Sequence, residues 1–273
     1  MNFIQAIEIV TVLTILMIIS YRLRILDAQG TILAAAIGGT VYLTVGRIGV
    51  VLITAFVVVA GLFTKTGYDR KSMIGAAEPR KGLRGWRNVM GNGIVAAAAA
   101  IMYALFPEYS EAIFGGYVGA IAAVFADTMA TEVGLLHKGD PRLIIGFKKV
   151  SPGTPGGVTL LGYGGALGAA LILTVTWLLL GEPNPLNPVL AVLVVSSSAL
   201  VGTSVDSVIG QYFQGVYRCE TCGKHTELET HCGRPAKPIR GFRIVNNHVV
   251  NILCSLSGAL VGAALTLLFH STA

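Results

Sequence analysis

Eight apolar stretches, each approaching 20 residues, dominate this chain, and that length matches the hydrocarbon core of a bilayer. They fall at about 3–20, 31–45, 49–63, 89–106, 113–134, 158–180, 188–210 and 246–268. Backbone in lipid has no water to bond with, so each stretch must satisfy its own N–H and C=O groups as a helix. An all-α, polytopic transmembrane bundle of about eight helices, forming one domain over 1–273, is therefore expected. Only 12% of residues are charged, against about 25% in soluble domains, which excludes an ordinary globular protein. The second and third stretches are short, and a tight turn at Gly46-Arg47-Ile48-Gly49 is expected to join them. The first lacks a basic leader and a small-residue cleavage site, so it is expected to stay as a helix.

The bases give an orientation. Of 20 Lys and Arg, eight spans place all but Arg47 on one side. Arg22 and Arg24 follow the first span, and a cluster that includes Arg84 and Arg87 precedes the fourth. Lys138, Arg142, Lys148 and Lys149 precede the sixth, and six more lie between the seventh and eighth. By the positive-inside rule this side faces the cytoplasm of a multi-pass cell-membrane protein with both termini outside. These bases also attract anionic lipid heads. No interleaved aromatics accompany them, so nucleic acid is not an expected partner.

Carboxylates inside apolar helices are expensive, and they persist where they meet a partner, a metal or water. Asp127 and Glu132 close the fifth span and Asp206 the seventh, all on the basic side. Asp127 and Glu132 are about 140° apart around a helix, so they suit two walls of a cleft better than one face. Thr128 lies under Glu132 at i, i+4. Hard oxygen ligands of this kind suit Mg²⁺. Helix packing by small residues accounts for the neighbouring Gly, Ser and Thr, but poorly for the acids.

The loop Lys148-Lys149-Val150-Ser151-Pro152-Gly153-Thr154-Pro155-Gly156-Gly157 runs into the sixth span. Glycines expose backbone N–H groups and a helix start adds partial positive charge, which together bind anions. The spacing is not that of a P-loop. A flexible turn whose glycines serve only positive φ explains the same residues. Asn88 and Asn92 open the fourth span, and Asn246, Asn247 and Asn251 open the eighth. Asp127, Glu132, Asp206 and Lys149 are thus the candidate catalytic residues. Candidate substrate and nucleotide ligands are Arg84, Arg87, Asn88, Asn92, Thr128, Lys148, Gly153, Thr154, Gly156, Gly157, Asn247 and Asn251.

Residues 211–243 form a Cys/His insert between the last two spans. Cys219 and Cys222 make a C-x2-C pair, followed nine residues later by His231-Cys232. Three sulfurs and an imidazole suit a closed, tetrahedral and therefore structural Zn²⁺ site, with His225 as the alternative to His231. A reducing cytoplasm argues against a disulfide. Cys254 lies within the eighth span and reads as a small buried hydrophobe.

The acidic run Asp127-Thr128-Met129-Ala130-Thr131-Glu132-Val133-Gly134, the loop Val150 to Val158 and the Arg87-Asn88 … Asn92-Gly93 opening resemble one integral membrane family. That family includes plant phytyl-phosphate kinase and animal transmembrane protein 19, and is distantly similar to phytol and dolichol kinases. The likeness runs over nearly the whole chain, with Thr131 where many members carry Ser. It implies transfer of a γ-phosphoryl group from a nucleoside triphosphate, CTP foremost, to a polyprenyl monophosphate such as phytyl or geranylgeranyl phosphate, with Mg²⁺ held by Asp127 and Asp206. Nucleotidyl transfer to a lipid phosphate would use the same ions. A lipid or ion transporter is the contrasting class, because Asp127-Thr128 and Asp206-Ser207 are weakly alike and transporters often carry repeats.

Overall fold

The computed structural model describes residues 3–180, 186–223 and 225–270. Its helices are α1 (Phe3–Arg22), α2 (Ala28–Thr44), α3 (Arg47–Lys65), α4 (Tyr68–Met73), α5 (Pro79–Gly82), α6 (Trp86–Leu105), α7 (Ser110–Gly134), α8 (Leu160–Leu179), α9 (Pro188–Tyr212) and α10 (Asn247–His270). Among the described residues, seven helices are long and apolar enough to cross a bilayer: α1, α3, α6, α7, α8, α9 and α10. The expected second span is also helical, but α2 has only 17 residues. Only Val45 and Gly46 separate it from α3, and Gly46 takes φ +90 at the turn.

Short strands amend the all-α expectation. A hairpin of β1 (Arg142–Leu143) and β2 (Gly157–Val158) frames the glycine loop. In the insert, β3 (Val216–Arg218) pairs with both β4 (His225–Thr226) and β7 (Lys237–Arg240). There too, β5 (Thr230–His231) pairs with β6 (Arg234–Pro235). These strands lie outside the long helices, where water can satisfy their edges.

The centre of the bundle is α7, which packs against α3, α6, α8, α9 and α10. Almost every residue from Ala112 to Ala126 is buried. Lipid is as apolar as leucine, so helices associate here through close van der Waals fit and small residues. Gly258 of α10 shows the requirement, since a Cβ there would collide with the Gly119 carbonyl of α7. Two buried hydroxyls pin α10 here: Ser198 Oγ of α9 donates to the Gly258 carbonyl at 3.0 Å, and Ser255 Oγ donates to the Ala120 carbonyl of α7 at 3.3 Å. Tyr117 Oη donates to the Gly49 carbonyl at 2.8 Å and ties α7 to α3. This packing fixes the ends of α7, α8, α9 and α10 relative to one another.

Candidate functional site

The C-terminal turns of α7 and α9 meet the N-terminal turns of α8 and α10 around a cleft of about 160 Å³. Asp127 enters from α7, with Thr203, Asp206 and Ser207 from α9. Thr159, Gly162 and Tyr163 come from the start of α8, and Asn247 from α10. Asp127 and Asp206, distant in sequence, thus face one space. Asp127 Oδ1 accepts a hydrogen bond from Thr203 Oγ1 at 3.2 Å. Asp206 Oδ2 is enclosed and has no hydrogen-bond partner among the described residues. Buried polar atoms are nearly always satisfied, so an orphaned carboxylate oxygen calls for a ligand. Tyr163 and Ser204 hydroxyls lie 2.9 Å apart and link α8 to α9 beside the acids.

Gly153, Thr154, Gly156 and Gly157 line the same cleft. The loop is held from several sides. Gln211 of α9 accepts from Ile145 N and donates to Ile145 O, both at 3.1 Å. Thr154 Oγ1 donates to the Ser151 carbonyl at 2.7 Å. Gly156 has φ +81, and a Cβ there would lie 2.7 Å from the Ser207 carbonyl. Only glycine gives this approach of loop to helix. Thr159 caps α8, its Oγ1 accepting from Gly162 N at 2.9 Å. Peptide dipoles of α8 therefore point partial positive charge into the cleft.

Other sequence candidates sit elsewhere. Glu132 is buried and its Oε2 lies 2.7 Å from Lys71 Nζ, while Arg84 is 3.8 Å from its Oε1. It does not line the cleft. Thr128 is buried in the bundle. Asn92 and Asn251 bond to each other, Nδ2 of Asn251 donating to Oδ1 of Asn92 at 2.8 Å. Asn88 donates to Glu78 Oε1 at 2.8 Å. The Arg87 guanidinium stacks 5.5 Å from the Trp86 ring, and Lys148 and Lys149 are exposed on their loop.

Arg84 also donates to Thr64 Oγ1 at 3.0 Å and, with Asn88, borders a second, apolar cleft of about 60 Å³. A third, of about 70 Å³, shares Ile25, Leu26, Ala34, Ile53 and Val57 with it, so the two lie side by side on a common wall.

The cleft also takes in residues that the sequence did not single out as site candidates, Tyr163, Gln214 and Glu227 among them. Thr203, one helical turn before Asp206 on the same small and polar stripe of the helix, also lines the cleft. Glu227 looks like any solvated acid of a polar insert. Its residue is exposed overall, yet its carboxyl turns into the cleft, where burial and the nearby Glu78 push it up to about 7.

In the insert, ligand atoms of Cys219, Cys222, His231 and Cys232 all lie within 4.8 Å of one another. His231 Nδ1 is 3.5 Å from Cys222 Sγ and 3.3 Å from Cys232 Sγ. The Cys222 N–H and His231 pull the Cys219 thiol down to about 6, toward the thiolate that binds metal. This group can hold a metal ion. The His225 side chain lies outside the described residues. Cys254 is buried in α10, apart from the group.

A family profile described as "integral membrane protein DUF92" matches residues 11–259. Protein PGR of Arabidopsis thaliana is 29% identical over 257 residues, covering 87% of this chain and 88% of its own. Membrane protein MJ0933 of Methanocaldococcus jannaschii is 27% identical over 93% of this chain and 91% of its own length. The chloroplastic Protein VTE6 of Arabidopsis thaliana is 29% identical over 86% of this chain and 64% of its own. No solved structure matches the chain.

Proposed function

The chain belongs to the DUF92 family of integral membrane proteins, and from that premise we propose that it is a polyprenyl-phosphate kinase. It moves the γ-phosphoryl group of a nucleoside triphosphate, CTP in the first instance, onto phytyl or geranylgeranyl phosphate. The carrying observation is that Asp127, Asp206 and the Gly153–Gly157 loop share one cleft at the start of α8. An acceptor phosphate oxygen bonds to the γ-phosphorus as the bridging P–O bond breaks, leaving a nucleoside diphosphate. The acceptor is already ionised, so positioning and charge neutralisation matter more than a general base.

The chain's own groups fit these needs. Asp206 Oδ2, enclosed and orphaned, and Asp127 suit a hard cation, and these two carboxylates would hold Mg²⁺. Bound Mg²⁺ would neutralise phosphate charge and polarise the transferred group. Loop amides and the α8 N-terminus orient phosphate oxygens, with Lys148 and Lys149 adding positive field from the same loop. The adjoining apolar clefts suit an isoprenoid chain, and Arg84 at the border of the first suits its phosphate. With α2 counted as an eighth crossing, the basic loops favour an orientation with this cleft toward the cytoplasm and both termini outside the cell membrane. Three sulfurs and one imidazole suit Zn²⁺ in a structural role in the insert.

The test uses purified protein in detergent with Mg²⁺, γ-labelled CTP or ATP, and geranylgeranyl monophosphate. Label in an organic-extractable diphosphate is the expected result. Pyrophosphate release without label transfer would replace the reading with nucleotidyl transfer. Neither product with any acceptor would leave transport as the better reading.

A further inference from the structure

Glu227 lies on the short loop between the metal-group residues Cys222 and His231, and it is the only acid that the insert's described residues bring to the cleft. So short a loop cannot bury a core of its own. Its other ties are slight. Two residues of β4 pair with β3, and Glu229 forms an ion pair with Arg243 that is mostly exposed and so worth little. Nearer its end the Ala236 N–H donates to the Glu229 carbonyl at 2.8 Å and Thr230 pairs with Pro235, so closing the Cys/His group would fix the stretch around Glu227 from both ends.

Among the described residues, two buried polar atoms in the same cleft reach no hydrogen-bond partner. One is Asp206 Oδ2, and the other is Nε2 of Gln214, a residue only 3% exposed. The Gln214 amide faces the Glu227 carboxyl closely enough to offset part of its upward push, while Gln214 Nε2 reaches no partner at full hydrogen-bond geometry among the described residues. An orphan carboxylate oxygen between further carboxylates calls for a cation, and an orphan N–H beside it suits the phosphate that such a cation carries. The insert is also tied to the cleft wall, because Arg240 of β7 reaches the Pro155 and Gly210 carbonyls at 3.5 and 3.4 Å.

We propose that the Cys/His group is a positioning device: once metal closes it, Glu227 is held in the cleft as a third carboxylate ligand for the cation of Asp127 and Asp206. This rests on the kinase reading in needing a divalent cation there. Metal in the insert thereby governs cation affinity in the cleft, and the insert's metal supply regulates the enzyme.

The experiment titrates Mn²⁺ into full-length protein in detergent and follows it by electron paramagnetic resonance. Wild type, Glu227→Gln and Asp206→Asn are each compared with the insert loaded with Zn²⁺, and again after a soft-metal chelator has stripped it. Glu227→Gln should weaken Mn²⁺ binding about 10- to 100-fold while keeping its Zn²⁺. Stripping the wild type should weaken it equally, stripping Glu227→Gln should add nothing, and returning Zn²⁺ should restore the wild type. Undiminished binding by Glu227→Gln, or an equal further loss when that variant is stripped, would overturn the proposal. Binding that survives Asp206→Asn as well would remove the cation from the cleft and overturn the kinase reading with it.

Discussion

Lys71 Nζ lies 2.7 Å from Glu132 Oε2, with 1% and 8% of their side chains exposed, so a full ion pair is buried where α4 meets the end of α7. Lys71 Nζ also donates to the Phe63 carbonyl at 2.8 Å, so the lysine joins three elements. Breaking such a pair strands a charge, whereas replacing both partners removes the need for either. Glu132→Gln alone should cost about 3–5 kcal/mol of stability. Lys71→Met with Glu132→Leu should recover most of that loss. Thermal unfolding in detergent decides it: a double variant no better than the single would show that Glu132 is retained for another reason.

Asp127 and its partner Thr203 should separate in a metal and activity assay. Asp127→Asn should lower phosphoryl transfer by about 100-fold or more with the bundle still folded, since it removes charge where the reaction needs it. Thr203→Val removes only the 3.2 Å hydrogen bond that orients the carboxylate, and should cost about 10-fold in cation affinity. Equal losses from the two variants would contradict this ranking.

Gly156 and Gly164 make a matched pair. Gly156→Ala puts a Cβ at φ +81 against the Ser207 carbonyl, and should destabilise the protein by roughly 1–3 kcal/mol while raising KM for the nucleotide. Gly164 in α8 has nothing within 4 Å of an added Cβ, so Gly164→Ala should be neutral or gain about 0.5–1 kcal/mol. Unfolding midpoints and steady-state kinetics of both variants check the contrast.

Asp27 caps α2, its Oδ1 accepting from Gly30 N at 2.8 Å, and Arg80 lies 2.8 Å from its Oδ2. The Gly30 N–H first, and then Arg80, hold its carboxyl below the ordinary value of 3.8. A depressed carboxyl stabilises the fold above its unfolded value and loses that contribution as pH falls through the folded one. Asp27→Ala should therefore cost about 1 kcal/mol at neutral pH. The gap to wild type should close in strong acid. Unfolding midpoints recorded down to about pH 3 follow the closure.

Apolar length carried the bundle in the sequence because lipid imposes helices, and α2 fell short only by ending in the turn at Val45-Gly46. Asp127 and Asp206 could be suspected from their cost in hydrocarbon, and the structure places both in one cleft. Glu132 carried the same signal, but its partner Lys71 is 61 residues away, a distance that no local pattern spans. Asn92 and Asn251 likewise answer each other across 159 residues. Glu227 was invisible for the opposite reason. An acid in a polar loop costs nothing in sequence terms, and only the fold of the insert turns it inward.

The buried course of α7 has a consequence for how the chain tolerates change. Each of its faces touches another helix, so enlarging a side chain between Ala112 and Ala126 has no free direction in which to expand. The span of α1, by contrast, has no buried residues. In a saturation scan of every position, α7 would stand out as a continuous band of intolerance and α1 as open ground. Such a map could be drawn from growth alone, before any substrate is identified.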